Sequence, residues 1–178
     1  PMLNPDGVAV GNGRSDLAGR DLNRCWEHPP AGSEIEAVKA ELQAAAASPG
    51  GLLALLDLHA HSGRHGAFTL SNPGCSALPD LLAEADSEVF AREQCVFSAT
   101  KSKRGSARCV AWREWSVAHA HTVEASYAKL PDRRRLLTPE DLHHLGRCLV
   151  LACARLGRPT PEAPDVTPAA RPASRRKR

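Results

Sequence analysis

The amino-acid sequence predicts an α/β domain built on a mixed, mostly parallel central sheet. The chain has 178 residues, of which 42% are hydrophobic, and this is enough for one compact domain with a sizeable core. Leu52 to Leu58 form a nearly continuous apolar run, which fits a strand buried on both faces in the middle of such a sheet. Helical periodicity before and after this run completes the prediction, because strands that alternate with helices are typical of α/β folds.

The first half of the chain is expected to place one helix before this strand. Residues 1–32 are rich in Gly, Asn, Asp and Pro, which favours the end of a strand followed by long ordered loops. Ser33 is expected to cap a helix that runs to about Ser48, where Pro49-Gly50-Gly51 stops it. The apolar residues of this helix recur at helical spacing, at Ile35, Val38 and Leu42. His59 then comes just past the carboxyl end of the apolar strand, where open α/β sheets usually hold their ligands.

The second half of the chain is expected to add two helices and two strands. We predict a helix from Leu78 to about Arg92, followed by a basic loop over residues 100–106. Arg108–Trp112 and Ala118–Glu124 are predicted as strands. The last helix has the clearest start, with Thr138 as its N-cap and proline and acidic residues in its first turn, and Gly157 ends it.

Residues 158–178 are predicted to form a disordered, proline-rich basic tail. There are five prolines from Pro159 onward, few hydrophobic residues, and a basic end at Arg175-Arg176-Lys177-Arg178. This basic run is either a simple solvated tail or a segment that binds acidic partners or acts as a nuclear localisation signal. The start of the chain has no signal-peptide pattern and no initiator Met, and we interpret the sequence as incomplete at that end.

Composition and charge exclude several classes of function. The net charge of +3 is carried by residues 159–178, so the rest of the chain is balanced and gives no electrostatic argument for nucleic acid binding. No apolar run approaches the roughly 20 residues that a membrane-spanning helix needs. The six cysteines form no CxxC pair, and we interpret them as reduced thiols of a cytoplasmic protein.

Three segments carry side chains that are suited to catalysis or to binding a ligand. The first joins Leu3-Asn4-Pro5-Asp6-Gly7-Val8 to Gly11-Asn12-Gly13-Arg14 and Gly19-Arg20-Asp21-Leu22-Asn23-Arg24. The second is Asp57-Leu58-His59-Ala60-His61-Ser62. The third is Thr122-Val123-Glu124-Ala125-Ser126, preceded by Gly105-Ser106-Ala107-Arg108 and Trp112-Arg113-Glu114.

These motifs, in this order, resemble the zinc metallocarboxypeptidases of the carboxypeptidase A type. The resemblance is strongest to the cytosolic carboxypeptidases, some of which remove glutamates from tubulin. It covers about residues 1–157, which it implies are the C-terminal part of the catalytic domain. It implies a carboxypeptidase-like fold with helices on both faces of the sheet, a Zn²⁺ cofactor, and substrates that are C-terminal protein tails, tubulin or other glutamate-rich tails among them.

His59 and Glu124 are the candidates for metal binding and proton transfer. Taken alone, a histidine at a strand end is usually structural, although a neutral imidazole is also a good zinc ligand. Glu124, at the end of its strand, could simply be held in a salt bridge. The resemblance implies that His59 is the third zinc ligand of the family and that Glu124 is the general base and acid. Asp57 and His61 share the strand face of His59 and could support it.

Four further residues are candidates for binding the substrate. Asn23 and Arg24 could satisfy backbone groups of their own loop, but together they also suit a carboxylate. The resemblance places both on the C-terminal carboxylate of the peptide and gives Arg14 the task of polarising the scissile carbonyl. It also places Arg108 near the base of the pocket for the last side chain, where a basic residue favours glutamate. Lys101, Lys103 and Arg104 could add positive potential or be a solvated basic loop.

One part of the family pattern has no counterpart in this sequence. The first two zinc ligands come from an H-x-x-E motif upstream of Asn4, and only three residues precede Asn4 here. The same letters at His121-Thr122-Val123-Glu124 lie in a predicted strand, so the two ends point to opposite faces and cannot replace the motif. One imidazole cannot hold catalytic zinc, so we expect no tight zinc binding by the 178-residue chain alone, with the missing ligands in a longer protein. The alternative is an inactive chain that binds acidic C-terminal peptides without cleaving them.

Overall fold

The computed structural model describes residues 1–157, and the sequence-based prediction for the tail at 158–178 lies outside them. Five helices and three strands make up this part of the chain: α1 Pro5–Ala9, α2 Glu34–Ala47, β1 Ala54–His61, β2 Ala67–Ser71, α3 Ala77–Ala85, α4 Ala107–Glu114, β3 His119–Ser126 and α5 Pro139–Leu156. Short 3₁₀ turns lie at Leu22–Arg24, Arg92–Gln94 and Lys101–Lys103. No helix within residues 1–157 has the length and apolar character to cross a bilayer.

The three described strands form one mixed sheet in the order β1-β3-β2. β1 and β3 run parallel, and β2 runs antiparallel to β3. The register pairs His59 of β1 with Glu124 of β3, and Glu124 in turn with Phe68 of β2. β3 is therefore the central strand, and residues opposite each other on neighbouring strands share one face of the sheet.

Helices cover both faces of this sheet, as predicted. Leu56 and Val123 lie on the face that packs against α3 and α5, and Leu55 and Ala120, one residue away on each strand, lie on the face that packs against α2 and α4. This alternation follows from the two-residue period of a strand. The second face also carries Trp26, which is fully buried. The predicted α/β class with a mixed sheet is confirmed, and the catalytic candidates share the α2–α4 face.

Two of the predicted helices are observed almost as expected. Ser33 caps α2, and its side chain accepts a hydrogen bond from the backbone of Glu36. Thr138 caps α5, and a reciprocal capping box joins it to Asp141. A cap of this kind satisfies backbone N–H groups that have no partner inside the helix, which is why the sequence signals these starts so clearly.

The apolar strand differs from its prediction in length and in burial. β1 extends to His61, so His59 lies within the strand and not just past its carboxyl end. Leu58 is 68% exposed, which shows that the predicted burial on both faces is wrong for this residue. The physical reason is that, among the described strands, β1 pairs only with β3 and lies at the edge of the sheet.

The prediction of a strand at Arg108–Trp112 is wrong, because these residues belong to α4. A short apolar run fits a buried strand and a buried helix equally well by periodicity. β2 was not predicted, and α3 ends at Ala85 instead of near Arg92. The expected strand end near the start of the chain is the short helix α1.

Candidate active site

His59 and Glu124 lie side by side on neighbouring strands, on the face that packs against α2 and α4. The parallel register of β1 and β3 brings their backbones opposite each other. Asp57 and His61 are on the same face of β1, two residues before and after His59. The sheet therefore gathers one imidazole and one carboxylate that are 65 positions apart in the sequence.

His59 is held through one of its two ring nitrogens. Its Nε2 lies 2.8 Å from the Asp57 Oδ2 and 3.1 Å from the Asn23 Nδ2. Because an ionised carboxylate can only accept, Nε2 carries the proton of this bond and Nδ1 of the neutral ring keeps a free lone pair. The bond to Asp57 raises the pKa of His59, against the opposing effect of burial. Histidines that bind metals are commonly oriented by a carboxylate in this way.

Glu124 is a buried carboxylate without a charged partner. It is 8% exposed, and among the described residues no donor forms a hydrogen bond or salt bridge with it. Burial raises the pKa of Glu124, while the nearby His59, His61 and Lys103 act in the opposite direction. Residues 1–157 do not show the salt bridge that a structural glutamate would make, and Glu124 stays a candidate for a functional carboxylate.

Asn23 connects three segments of the chain beneath the cleft. Its Nδ2 donates to the Asp57 Oδ2 at 2.8 Å, and its Oδ1 accepts from the backbone N–H of Ala107 at 2.9 Å. The 3₁₀ turn that carries Asn23 is therefore fixed to β1 on one side and to the first residue of α4 on the other. In this structure Asn23 orients Asp57, which in turn orients His59.

Arg14 and Arg24 converge on one carboxylate, that of Asp21. The Nε and Nη2 atoms of Arg14 lie 2.9 and 2.8 Å from the Asp21 Oδ2, and the Arg24 Nη2 lies 3.9 Å from it. Arg24 also donates from Nη1 to the backbone carbonyl of Asn23 at 2.7 Å. Arg14 has a 69% exposed side chain, so its guanidinium can still reach a ligand in the cleft.

The loop that carries Arg24 packs tightly against the loop that precedes α4. Trp26 donates its backbone N–H to the Gly105 carbonyl at 3.0 Å. A Cβ atom on Gly105 would lie 2.3 Å from the Arg24 carbonyl oxygen, so only glycine fits at this close approach. This close contact fixes the position of Arg24 relative to α4. Nothing in the sequence pattern predicted the contact.

Arg108 is a buried cation on α4 that faces the same cleft. It is 3% exposed, and its guanidinium donates to the carbonyl oxygens of Ser71, Asn72 and Ser98 at 3.0, 3.1 and 3.3 Å. Among the described residues no carboxylate forms a salt bridge with it, and burial lowers its pKa. Buried charges are usually paired, so an unpaired one in a cleft wall indicates an anionic ligand.

All six predicted site residues line one cleft of about 950 Å³: Arg14, Asn23, Arg24, His59, Arg108 and Glu124. Lys103 of the basic loop also lines it, and the positive charges of Arg14 and Arg24 contribute, after burial, to lowering the pKa of its ammonium. Arg104 points to Glu27 instead, at 3.7 Å. The cleft therefore combines four basic side chains with one unpaired carboxylate.

The cleft does not contain a complete set of zinc ligands. Within residues 1–157, a single group of three metal-ligating side chains has its donor atoms within 4.8 Å of one another, and His59 is not part of it. A catalytic zinc ion takes about three ligands from protein. The free Nδ1 of His59 and its bond to Asp57 fit one ligand of such a site, and the other ligands are not among these residues.

Comparison with known proteins relates this chain to one family of peptidases. No protein-family model matches the chain. It is 35% identical over 150 residues to mouse cytosolic carboxypeptidase 4, which covers 71% of this chain and 13% of that protein. It is 34% identical over 149 residues to human cytosolic carboxypeptidase 1, covering 71% of this chain and 12% of that protein. For zebrafish cytosolic carboxypeptidase 1 the identity is 32% over 187 residues, covering 89% of this chain and 16% of that protein.

Solved structures of bacterial enzymes share the fold. A metallo-carboxypeptidase from Burkholderia cenocepacia superposes with a TM-score of 0.72 at 24% identity, over 88% of this chain and 43% of that one. One from Pseudomonas aeruginosa, in complex with (2-guanidinoethylmercapto)succinic acid, gives 0.72 at 23% identity, over 86% and 44%. At this level of sequence identity, the structural similarity establishes only that the fold is shared. The chain thus spans less than half of the solved domains and between 12% and 16% of the length of the curated relatives cited above.

Proposed function

The chain belongs to the cytosolic carboxypeptidase family, and we propose that it forms part of a zinc-dependent carboxypeptidase that releases glutamate from the C-terminal tails of proteins. The observation that carries this proposal is the cleft in which His59 and Glu124 lie on neighbouring strands, surrounded by basic side chains. Glutamate-rich tails such as those of tubulin are the substrates we propose, and the cytoplasm is the proposed location.

His59 would provide one zinc ligand through Nδ1, with the remaining ligands supplied by residues outside this chain. A bound zinc ion would supply Lewis acidity and a water of lowered pKa. Asp57 keeps the His59 ring in the orientation that leaves Nδ1 free, and Asn23 holds Asp57 in place. Glu124, buried and without a partner among the described residues, would take the proton from the attacking water and pass it to the leaving amine.

The basic residues of the cleft would recognise the end of the peptide. Asn23 and Arg24 would bind the C-terminal carboxylate, for which a planar guanidinium offers two parallel donors. Arg14, exposed at the rim, would turn toward the scissile carbonyl oxygen and stabilise the negative charge that develops on it. Asp21 pairs with both arginines, so substrate binding would exchange one carboxylate for another.

Arg108 would select glutamate as the last residue. Its guanidinium is buried and contacts only carbonyl oxygens among the described residues, so a substrate carboxylate would be its first anionic partner. Lys103, which also lines the cleft, would add positive potential. A neutral or basic side chain in this position would leave the buried guanidinium without an anionic partner, which is costly for a cation removed from water.

A second candidate function is recognition of acidic C-terminal peptides without cleavage. The arrangement that favours it is the same basic cleft in a chain whose described residues do not complete a zinc site. Both functions require binding of a peptide that ends in glutamate, and only the first requires hydrolysis. Turnover by the longer protein, and not binding by the 178-residue chain, therefore distinguishes them.

The binding step can be tested on the 178-residue chain itself. We expect a fluorescent peptide that ends in free glutamate to bind at least tenfold more tightly than the same peptide with a C-terminal amide or with a C-terminal lysine. Arg108→Met should remove most of the preference for glutamate over lysine, because it keeps the bulk of the side chain and loses the charge. Arg113→Met, on the same helix but paired with Glu27 and Glu114, is the matched control and should bind as wild type. Equal affinity for all three peptides would contradict the proposal.

A further inference from the structure

A second cluster of metal-ligating side chains joins the end of α3 to α5, away from the cleft. Asp86 follows the last residue of α3, and His144 and Cys148 lie four residues apart on α5. Residues four apart on a helix lie on the same face. The His144 Nε2 is 3.5 Å from the Asp86 Oδ2 and 3.5 Å from the Cys148 Sγ, and the three donor atoms all lie within 4.8 Å of one another. None of the three residues lines the cleft.

Asp86 directs an unsatisfied oxygen into this cluster. Its side chain is 6% exposed, and Oδ1 accepts hydrogen bonds from the backbone N–H groups of Glu88 and Val89 at 3.1 and 3.0 Å. Oδ2 is buried and has no hydrogen-bond partner among the described residues; the His144 Nε2 lies 3.5 Å from it, which is ion-pair distance when the ring is protonated. Beside a neutral His144 ring this buried oxygen would lack a partner, which is unfavourable, and a metal ion shared with His144 would satisfy it.

The donor spacing matches tetrahedral coordination by zinc. Bonds of about 2.0–2.3 Å from Zn²⁺ to oxygen, nitrogen and sulfur place the donors of a tetrahedral site about 3.4–3.6 Å apart. The two distances that involve His144 Nε2, both 3.5 Å, fall in this range. His144 is exposed and can admit the ion, while Cys148 and Asp86 are buried behind it.

We propose that Asp86, His144 and Cys148 form a second zinc site that joins the end of α3 to α5, with water as the fourth ligand. On binding, the Cys148 thiol releases its proton to solvent and the sulfur binds the ion as a thiolate. The site is independent of the proposed peptidase function, since it shares no residue with the cleft. The sequence-based expectation of no tight zinc binding by the chain alone considered only His59, and the proposed site departs from it.

Metal analysis of the 178-residue chain, loaded with Zn²⁺ alone and then dialysed, tests the site. We expect about one zinc per chain in wild type and in His59→Gln. Loss of zinc is expected in Cys148→Ser and in His144→Gln; the second change is on an exposed residue and should leave the fold intact by circular dichroism. Cys153→Ser, one turn further along α5, is the matched control and should retain zinc. Absence of zinc from wild type, or its retention in both Cys148→Ser and His144→Gln, would overturn the proposal.

Replacement of zinc by Co²⁺ identifies the sulfur ligand directly. A thiolate bound to Co²⁺ gives a charge-transfer absorption in the near ultraviolet, together with the visible bands of a tetrahedral ion. Both should be present in wild type and in Cys153→Ser and absent in Cys148→Ser. Asp86→Asn, which can still cap the following turn through its side-chain oxygen, should bind Zn²⁺ at least tenfold more weakly. A thiolate band that persists in Cys148→Ser, or zinc that is lost in His59→Gln, would place the metal elsewhere and refute the site.

Discussion

His121 should make the stability of this domain sensitive to mild acid. The ring is fully buried in β3, its Nδ1 lies 2.8 Å from the Ser71 Oγ, and its Nε2 has no partner among the described residues. Burial, reinforced by the positive charges of His119 and Arg108, lowers the pKa of His121 to about 4. The folded domain therefore holds this ring neutral at pH values where the unfolded chain would protonate it.

The sign and size of the effect follow from linkage. His121 titrates near pH 6.5 in the unfolded chain and at about 4 in the folded one. Between these values the unfolded chain binds the extra proton, so the free energy of unfolding falls as the pH falls through this window. One pKa unit corresponds to about 1.4 kcal/mol, so the full window is worth about 3 kcal/mol. Against a typical stability of about 5–15 kcal/mol this is a large share.

Urea unfolding at a series of pH values from 7 to 4 measures this effect. Wild type should lose about 3 kcal/mol more than His121→Asn over this range, because asparagine keeps an acceptor for the Ser71 hydroxyl and does not titrate. His143→Asn, an exposed change on α5, should lose as much as wild type. Carboxylates contribute equally in all three proteins and cancel in the comparison. If wild type and His121→Asn lose stability in parallel, the buried neutral ring is not the source of the effect.

Three further changes should alter stability by calculable amounts, measured by urea unfolding at pH 7. Gly105→Ala should destabilise by several kcal/mol or disturb the loop, because its Cβ would lie 2.3 Å from the Arg24 carbonyl oxygen; an unchanged midpoint would contradict the close approach. Asn23→Ala should cost about 1–3 kcal/mol, since the Asp57 carboxylate and a backbone N–H each lose a partner. Thr138→Ala should cost about 1 kcal/mol by removing the cap of α5, and Thr138→Ser should restore most of it.

The parts of the fold that the sequence predicted are those with local signals. Ser33 and Thr138 predict the starts of α2 and α5, because each caps its helix through hydrogen bonds to residues within one turn. The central strand β3 is readable because small and apolar residues continue without a helical period. The resemblance of the motifs to a known family then predicted that His59 and Glu124 share a site, which the parallel register of β1 and β3 makes possible.

The parts that were missed depend on contacts between distant segments. Arg108 lies on a helix because α4 packs against the sheet, and the four apolar residues that follow Arg108 contain no information about that packing. The exposure of Leu58 follows from the edge position of β1, which only the strand order reveals. The same is true of the link from Asn23 to Asp57 and of the approach of Asp86 to α5, each of which joins segments that are far apart in the sequence.

The most direct test of the central claim is the release of glutamate by a protein in which this chain is joined to the proposed remaining zinc ligands. A peptide with a free C-terminal glutamate should be cleaved by wild type in the presence of zinc. Glu124→Gln should lower the rate by at least about 100-fold while peptide binding is retained, because proton transfer by such a group contributes about 10²–10⁴-fold. Equal turnover by wild type and Glu124→Gln would contradict the assignment of Glu124 as the proton carrier. Binding without turnover by wild type would favour the non-catalytic function instead.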